Sequence, residues 1–222
     1  MSNIYDGLSN LFKKNLVDVA KDYNYSKSNI YILENNFEKL QIEYSDIWQA
    51  LQSCRHQRDT RTIEEYAKDL VSSWIYEDTV LVYLKDNFEI DLYGSDRERN
   101  ILPNSKVSSD SDFCIKKDDK LLSVELINSY TNYWKAYQRI DLRDNKFEKL
   151  KNKQAILICI DIYNKEFYLI DLKKSNDNIK YIPYHKPYGK PAYQIFLNNA
   201  HIFSFSIKNL IEQLNKFLNE KI

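Results

Sequence analysis

The spacing of apolar residues changes once along this chain, close to residue 87, and this change constrains the fold more than any other feature. Before it, apolar side chains recur every three or four residues, the period of an α-helix. After it, short segments alternate or are continuously apolar, as β-strands are. With 222 residues, the chain can bury a core without disulfides or a structural metal. We therefore predict an α/β protein, with a helical arm over 1–58 and an α/β domain over 59–222.

Three helices are predicted in the N-terminal part. Residues 1–24 carry an amphipathic pattern, and apolar residues from Ile30 to Cys54 are spaced alternately by three and four. This second pattern is an a/d heptad seam, typical of a helix packed on its own domain or of a helix that dimerises. Both interpretations stay open, and the second predicts a homodimer through residues 30–54. Thr62 and Glu65 form a capping-box pattern that opens the third helix.

Beyond residue 87 the pattern predicts five strands and two helices. The predicted strands are 88–94, 111–117, 121–127, 155–163 and 166–172; the helices are 131–150 and 206–219; residues 180–203 are predicted to be irregular and aromatic. A short turn joins the second and third strands into a hairpin. Because the run over 155–163 is apolar almost throughout, it indicates a strand buried on both faces.

Composition excludes several classes of functional site. The chain has three Gly, which rules out both the dinucleotide-binding fingerprint and a Walker loop. Its three Cys and three His show no paired spacing, so neither disulfides nor a zinc site is expected, in keeping with a cytoplasmic protein. The sequence shows neither a signal peptide nor a long apolar run, so membrane association is not predicted. Lys plus Arg equals Asp plus Glu at 32 each, which leaves only a local basic groove to attract nucleic acid.

Two carboxylates on the predicted hairpin are the main candidates for chemistry. Asp112 opens the second strand and Glu125 lies near the end of the third, so the hairpin places them side by side across the ladder. Paired carboxylates are hard oxygen ligands suited to Mg²⁺ or Mn²⁺. Such an ion polarises a phosphodiester and generates hydroxide from bound water. The ordinary interpretations are a strand-entry turn for Asp112 and a structural ion pair for Glu125.

The order α-β-β-β-α-β over about residues 61–172, with Asp112 opening strand two and Glu125 in strand three, resembles the PD-(D/E)XK nuclease superfamily. The resemblance implies a restriction-endonuclease-like core, a mixed central sheet flanked by helices, that cleaves DNA, and less often RNA, with a divalent metal. Glu65 matches the extra acidic residue that many members place in the helix before the sheet. Its alternative role is the capping box alone.

Two positions depart from the family pattern. Ser111 stands where many members have Pro, and Ile127 stands two residues after Glu125, where the family's Lys is expected. Some members supply that ammonium from the following helix, which makes Lys135 a candidate. Gln138 is a second candidate, because related nucleases keep a Gln in this helix. If neither substitutes, the protein binds nucleic acid without cutting it.

Basic residues outside the hairpin are candidates for nucleic-acid contact. Arg97 and Arg99 follow the first strand and could grip phosphates, although a solvated loop explains them equally well. Lys186 and Lys190 are interleaved with tyrosines, a pattern that suits backbone contact with base stacking but also aromatic packing.

These observations predict a Mg²⁺- or Mn²⁺-dependent endodeoxyribonuclease of restriction or mobile-element type. Asp112 and Glu125 hold the metal in this hypothesis, Glu65 assists, and Lys135 or Gln138 replaces the missing Lys. One alternative is a structure-specific nuclease such as a junction resolvase. The other is a catalytically silent nucleic-acid-binding or protein-interaction module on the same fold.

Overall fold

The computed structural model describes residues 14–55, 61–95, 97–108, 110–117, 120–174, 178–186, 188–198 and 201–221. Within these ranges the protein is mixed α/β, with eight α-helices, a six-stranded sheet and a three-stranded sheet. The chain divides into two compact units, residues 1–79 with 95–108, and residues 80–94 with 109–222. The expected boundary after residue 58 stays a prediction. None of the helices in the described ranges is long and apolar enough to span a bilayer.

The N-terminal helices are α1 (Leu16–Asp22), α2 (Lys27–Leu33), α3 (Phe37–Glu43), α4 (Ser45–Cys54) and α5 (Ile63–Lys85). In the described residues the helix expected over 1–24 begins only at Leu16. Asn15 has an extended backbone, and its side chain accepts a hydrogen bond from the Val17 N–H, which is an N-cap. Residues 1–13 of that predicted helix lie outside the described residues.

The single long helix expected from the heptad seam is wrong, because three short helices occupy that segment. The chain turns after α2, where Asn35 adopts a left-handed backbone with φ 60°. It turns again at Tyr44, which separates α3 from α4. The seam residues Leu33, Leu40 and Leu51 are almost fully buried. The heptad spacing therefore marks the buried sides of successive short helices.

The larger sheet has the spatial order β1 (Glu89–Leu92), β2 (Phe113–Lys117), β3 (Lys120–Ser129), β5 (Ile156–Asp161), β6 (Glu166–Asp171) and β9 (His201–Ser204). β3 and β5 are parallel, and the other neighbours are antiparallel. A parallel pair needs a crossover connection, and the helix α7 (Asp144–Asn152) lies in it. Every residue of β5 is buried, as its apolar run predicts. The last helix, α8, covers Ile207–Lys221.

The smaller sheet contains segments that the sequence assigned otherwise. It has the order β4 (Arg139–Arg143), β8 (Lys190–Phe196) and β7 (Ile179–His185). The helix expected over 131–150 is instead the short α6 (Tyr133–Tyr137), then β4, then α7. Much of 180–203, expected to be irregular, is strand. Pro183 lies in the edge strand β7, where the ladder shifts register between Ile182 and His185, and such irregular edges are where strands tolerate proline.

One apolar cluster joins the two sheets and places α7 against them. The larger sheet contributes Leu157, Cys159, Tyr168 and Ile170, the smaller sheet contributes Ile140, Leu142 and Ile195, and α7 contributes Phe147 and Leu150. Since α7 packs here through its apolar side chains, the polar side chain next to Phe147 is directed by the same packing. That neighbour is Lys146, which belongs to the candidate site.

Candidate functional site

The β2–β3 hairpin brings Asp112 and Glu125 together. Phe113 pairs with Val124, so the continued register places Asp112, just before β2, opposite Glu125. The Asp112 carboxylate accepts a 2.7 Å hydrogen bond at Oδ2 from the backbone N–H of Leu126, the residue after Glu125. The two carboxylates therefore occupy neighbouring positions on one face of the hairpin.

Glu125 is buried, with 8 % of its surface exposed, and its charge is balanced by Lys146. The Lys146 Nζ lies 2.8 Å from Glu125 Oε1 and donates a second hydrogen bond of 2.7 Å to the backbone carbonyl of Asp110. The Lys146 side chain is itself only 20 % exposed. Because a buried carboxylate is costly without a cation or hydrogen bonds, this ammonium stabilises Glu125 in its charged form.

Lys153 extends the charged cluster towards the surface. Its Nζ lies 3.0 Å from the Asp110 carboxylate, and both side chains are about 40–45 % exposed. This second pair is worth less than the first, because water screens it. Lys146 and Lys153 thus both bind Asp110, in the segment before β2, one at its backbone carbonyl and one at its carboxylate.

The two cysteines near this cluster are unsuited to nucleophilic chemistry. Complete burial raises the pKa of the Cys159 thiol well above its usual value, and the Glu125 charge raises it further. Partial burial also raises the pKa of Cys114, against a weaker opposing effect from its hydrogen bond with Ser123. Thiolates are the reactive form of cysteine, so the chemistry of this site rests on the carboxylates and the ammonium.

The donor set of Asp112 and Glu125 fits a hard divalent cation. Mg²⁺ is usually bound through one or two carboxylates, with water completing its shell. Oxygen donors favour Mg²⁺ or Mn²⁺ over Zn²⁺, which prefers Cys and His. Across the part of the chain that the structure describes, no group of three or more His, Cys, Asp or Glu side chains is arranged to hold a metal. A cation here would therefore depend on these two carboxylates, backbone oxygen and water.

Glu65 has a defined structural role at the start of α5. The Thr62 N–H donates a 2.8 Å hydrogen bond to Glu65 Oε2, and the Glu65 N–H donates to Thr62 Oγ1 at 3.2 Å. These reciprocal bonds are the capping box that the sequence predicted. Glu65 is exposed and belongs to the first compact unit, whereas Asp112 and Glu125 belong to the second.

Lys135 and Gln138 lie away from Glu125. The Lys135 Nζ is 3.0 Å from Glu166 Oε1. Glu166 is level with Ser129 across the sheet, four residues along β3 from Glu125, or about 13 Å at the rise of a strand. Gln138 ends α6 in a left-handed conformation, and its side chain donates to the Lys135 carbonyl. The ammonium beside Glu125 comes from Lys146 instead of Lys135.

Sequence reasoning missed Lys146 because it assigned 131–150 to one helix, with Lys135 in the first turns. The strand β4 breaks that segment and starts a new helix at Asp144. Nothing local distinguishes Lys146 from Lys149 or Lys151 in the sequence. Only the burial of its neighbour Phe147 against the sheets directs Lys146 to Glu125.

The Arg99 side chain is largely buried and is engaged in ion pairs. Its guanidinium pairs with Glu77 at 2.8 Å and with Asp78 at 2.5 Å, and 11 % of the side chain is exposed. Its backbone carbonyl accepts a hydrogen bond from the Asn29 side chain. A phosphate could engage Arg99 only by breaking these pairs. Arg97 is exposed, and its Nε lies 3.9 Å from Glu98 Oε1.

Lys186 and Lys190 flank the turn between β7 and β8, next to a polar cluster that the sequence did not predict. Lys186 is exposed, and Lys190 lies opposite His185 in the β7–β8 strand register. His185 Nε2 lies 2.9 Å from Asp141 Oδ2, and both side chains are 7 % exposed. The spacing of 44 residues between Asp141 and His185 left no sequence signal for this pair.

Two tyrosines complete that cluster. Tyr133 donates a 2.5 Å hydrogen bond to Asp141 Oδ2, and Tyr188 donates one of 2.9 Å to the Asp141 backbone carbonyl. Burial raises the pKa of Tyr188 to about 12, with a further contribution from the Asp141 charge. The cluster therefore ties α6, β4 and the β7–β8 turn together.

No protein-family model matches this chain, and no curated protein matches it significantly. Functional inference therefore rests on the geometry of the Asp112–Glu125–Lys146 site.

Proposed function

We propose that the protein is a divalent-metal-dependent endonuclease that hydrolyses phosphodiester bonds in DNA. One observation carries this proposal: the Lys146 ammonium is 2.8 Å from Glu125, on the hairpin where Asp112 lies opposite. Two carboxylates and an ammonium are the groups that the PD-(D/E)XK resemblance implies. Lys146, on the crossover helix α7, would supply the positive charge that the family's Lys provides at the position of Ile127.

The element order supports the same proposal. α5, β1, β2, β3, α7 and β5 follow one another with α6 and β4 inserted, and α7 connects the parallel strands β3 and β5. This is the α-β-β-β-α-β order of the resemblance with one insertion. We therefore propose that the six-stranded sheet is a restriction-endonuclease-like core.

Each residue has a distinct task in the proposed reaction. Asp112 and Glu125 would hold Mg²⁺ or Mn²⁺, which when bound supplies Lewis acidity and an activated water. Lys146 would stabilise the negative charge that develops on the phosphate oxygens in the transition state. Its bond to the Asp110 carbonyl keeps the ammonium oriented, so little reorganisation is needed during the reaction.

The first test is cleavage of supercoiled plasmid, a four-way junction and single-stranded RNA, each with Mg²⁺, Mn²⁺ or EDTA. We expect metal-dependent nicking or linearisation of the plasmid. Cleavage confined to the junction would favour the structure-specific nuclease, and cleavage confined to RNA would exclude the DNA assignment.

Variants then assign the activity to the site. Asp112→Asn should abolish cleavage and preserve DNA binding, because an amide supplies a dipole where the metal needs charge. Lys146→Ala should lower the rate by roughly 10²–10³, the usual effect of removing one preorganised donor. Lys135→Ala is the matched control, since it removes a lysine from an ion pair elsewhere on the same unit. Undiminished cleavage by purified Asp112→Asn would overturn the assignment.

One observation favours a second candidate, the catalytically silent module. Lys146 is bonded directly to Glu125, as in a structural ion pair, and charged groups of this kind also serve only folding. Calorimetric titration with Mn²⁺ separates the two. Binding that disappears in Asp112→Asn supports the nuclease, whereas no binding and no cleavage would support the silent module.

A further inference from the structure

The three-stranded sheet has one face packed on the core and one face turned away from it. Ile140, Leu142 and Ile195 pack into the core cluster. Asp141 lies opposite Gln194, which in turn lies opposite Lys180, so these three share the other face. Asp141 and Gln194 are buried at its centre, whereas Lys180 is exposed at its margin. Because side chains alternate along a strand, Arg139, Arg143 and Lys190 project from that same face. We call it the outer face.

The outer face carries more cations than carboxylates. In β4, β7 and β8 the Lys and Arg residues are Arg139, Arg143, Lys180 and Lys190, against a single carboxylate, that of Asp141. Arg143 and Lys180 are exposed. Asp141 is buried, is engaged by Tyr133 and His185, and lies 3.5 Å from Arg139 Nε, so it offsets the charge of Arg139. The positive field towards solvent therefore comes from Arg143, Lys180 and Lys190. Since the whole chain has a formal charge of zero, this is a localised basic surface.

The outer face also presents an aromatic ring beside one of its cations. The Arg139 guanidinium carbon lies 5.5 Å from the centre of the Tyr133 ring and 5.4 Å from that of Tyr137. Arg139 donates from Nε and Nη2 to the Tyr133 hydroxyl at 3.1 and 2.7 Å, which fixes the guanidinium plane. The Tyr137 ring also lies 4.8 Å from the Tyr133 ring, centre to centre, and 59 % of Tyr137 remains exposed, which leaves part of its ring accessible to a stacking partner.

The buried polar cluster around Asp141, at the centre of the outer face, holds its surroundings in place. Asp141 links Tyr133 of α6 to His185 of β7, and the Tyr188 hydroxyl closes the β7–β8 turn onto β4. The cations and the exposed ring therefore sit on a preorganised support, which lowers the entropy cost of binding.

We propose that the outer face binds a single-stranded segment of nucleic acid. Arg143, Lys180 and Lys190 contact phosphates, and an unpaired base stacks on Tyr137 beside Arg139. Stacking on an exposed ring requires a base that is not enclosed in a duplex, and it is tolerant of sequence. This inference rests on the proposed function, because it takes the bound polymer to be the nucleic acid that the nuclease would cleave.

The experiment measures binding without cleavage, using the full chain as Asp112→Asn, in EDTA. A labelled single-stranded oligonucleotide and its duplex are titrated at several salt concentrations by fluorescence anisotropy. We expect tighter binding of the single strand. The double change Arg143→Ala with Lys180→Ala should reduce the slope of log K against log salt by about 1.4, at roughly 0.7 per phosphate contact. Tyr137→Ala should weaken binding roughly 5- to 150-fold, the usual range for one stacked base.

The matched control is Lys208→Ala with Lys216→Ala, which removes the same charge from exposed positions of α8. An unchanged affinity and salt slope in the Arg143 and Lys180 variant would overturn the proposal, as would equal binding of duplex. If the single strand binds through these residues while the wild-type protein cuts no substrate with Mn²⁺, the proposed binding surface is supported and the proposed nuclease activity is contradicted. If cleavage occurs but the affinity for the single strand does not depend on these residues, the nuclease activity is supported and the proposed binding surface is contradicted.

Discussion

Arg97 and Arg99 are separated by one residue and have opposite environments. Arg97 is exposed, whereas Arg99 is enclosed by Glu77, Asp78 and Asn29. Both belong to the same polar segment of the sequence, which gives no sign of the difference. The acidic partners of Arg99 lie more than twenty residues away, on α5, so only the folded chain reveals them.

Arg99→Ala is expected to destabilise the protein by at most about 3–5 kcal/mol, because it leaves two partly buried carboxylates, those of Glu77 and Asp78, without their cation. Arg97→Ala should change the free energy of unfolding by less than about 0.5 kcal/mol, as exposed substitutions usually do. Urea unfolding of both variants is the measurement. Equal small effects would show that the Arg99 pairs contribute nothing.

The Glu125–Lys146 pair is expected to show strong coupling in a double-mutant cycle. Lys146→Met alone leaves a buried carboxylate without its cation and should cost about 3–5 kcal/mol. Adding Glu125→Leu should recover most of that loss, because two apolar side chains can replace a buried pair at little cost. The measurement is the free energy of unfolding of the wild type, the two single variants and the double variant. Additive effects of the two single changes would contradict the pairing.

Among the elements, the short helices α2, α3 and α4 show how a periodic pattern can mislead. Their apolar residues keep heptad spacing because each helix buries one side, and the intervening turns happen to preserve the count. Turns at Asn35 and Tyr44 break the helix that the pattern predicts. A periodic seam is therefore common to one long helix and to several short ones.

The seam is expected to stabilise the single chain. Leu40 is fully buried, so Leu40→Ala should cost about 2–5 kcal/mol through lost burial and the cavity left behind. Ile42→Ala is the control, because Ile42 is 75 % exposed on the same helix. Thermal unfolding at low and high protein concentration gives the readout. A melting temperature that rises with concentration would instead indicate a dimer, which the heptad interpretation predicts through residues 30–54.

Across the whole molecule, buried tyrosines make stability sensitive to alkaline pH. Burial is the largest cause that raises the pKa of Tyr25 in the first unit and of Tyr168 and Tyr188 in the second, the last to about 12. An unfolded tyrosine loses its proton near pH 10. Between pH 10 and 12 the folded state therefore binds more protons than the unfolded state, and stability falls as the pH rises.

Tyr188→Phe should make this fall less steep between pH 10 and 12, because it removes one of the phenols whose pKa is raised in the folded state. Tyr163→Phe is the control, since Tyr163 is 56 % exposed. Denaturant unfolding at pH 8, 10, 11 and 12 gives the curves. Parallel wild-type and Tyr188→Phe curves would show that Tyr188 ionises alike in both states.

The sequence by itself determined five of the six strands of the larger sheet, the capping box and the juxtaposition of Asp112 and Glu125. Apolar runs, reciprocal capping and a short hairpin all act between residues close in the chain. Tertiary structure alone decided that α7 presents Lys146 to Glu125, that Arg99 is buried, and that Asp141 meets His185. Those contacts depend on the packing of elements that are distant in the chain. The local sequence around a lysine is the same whether its side chain faces solvent or a carboxylate.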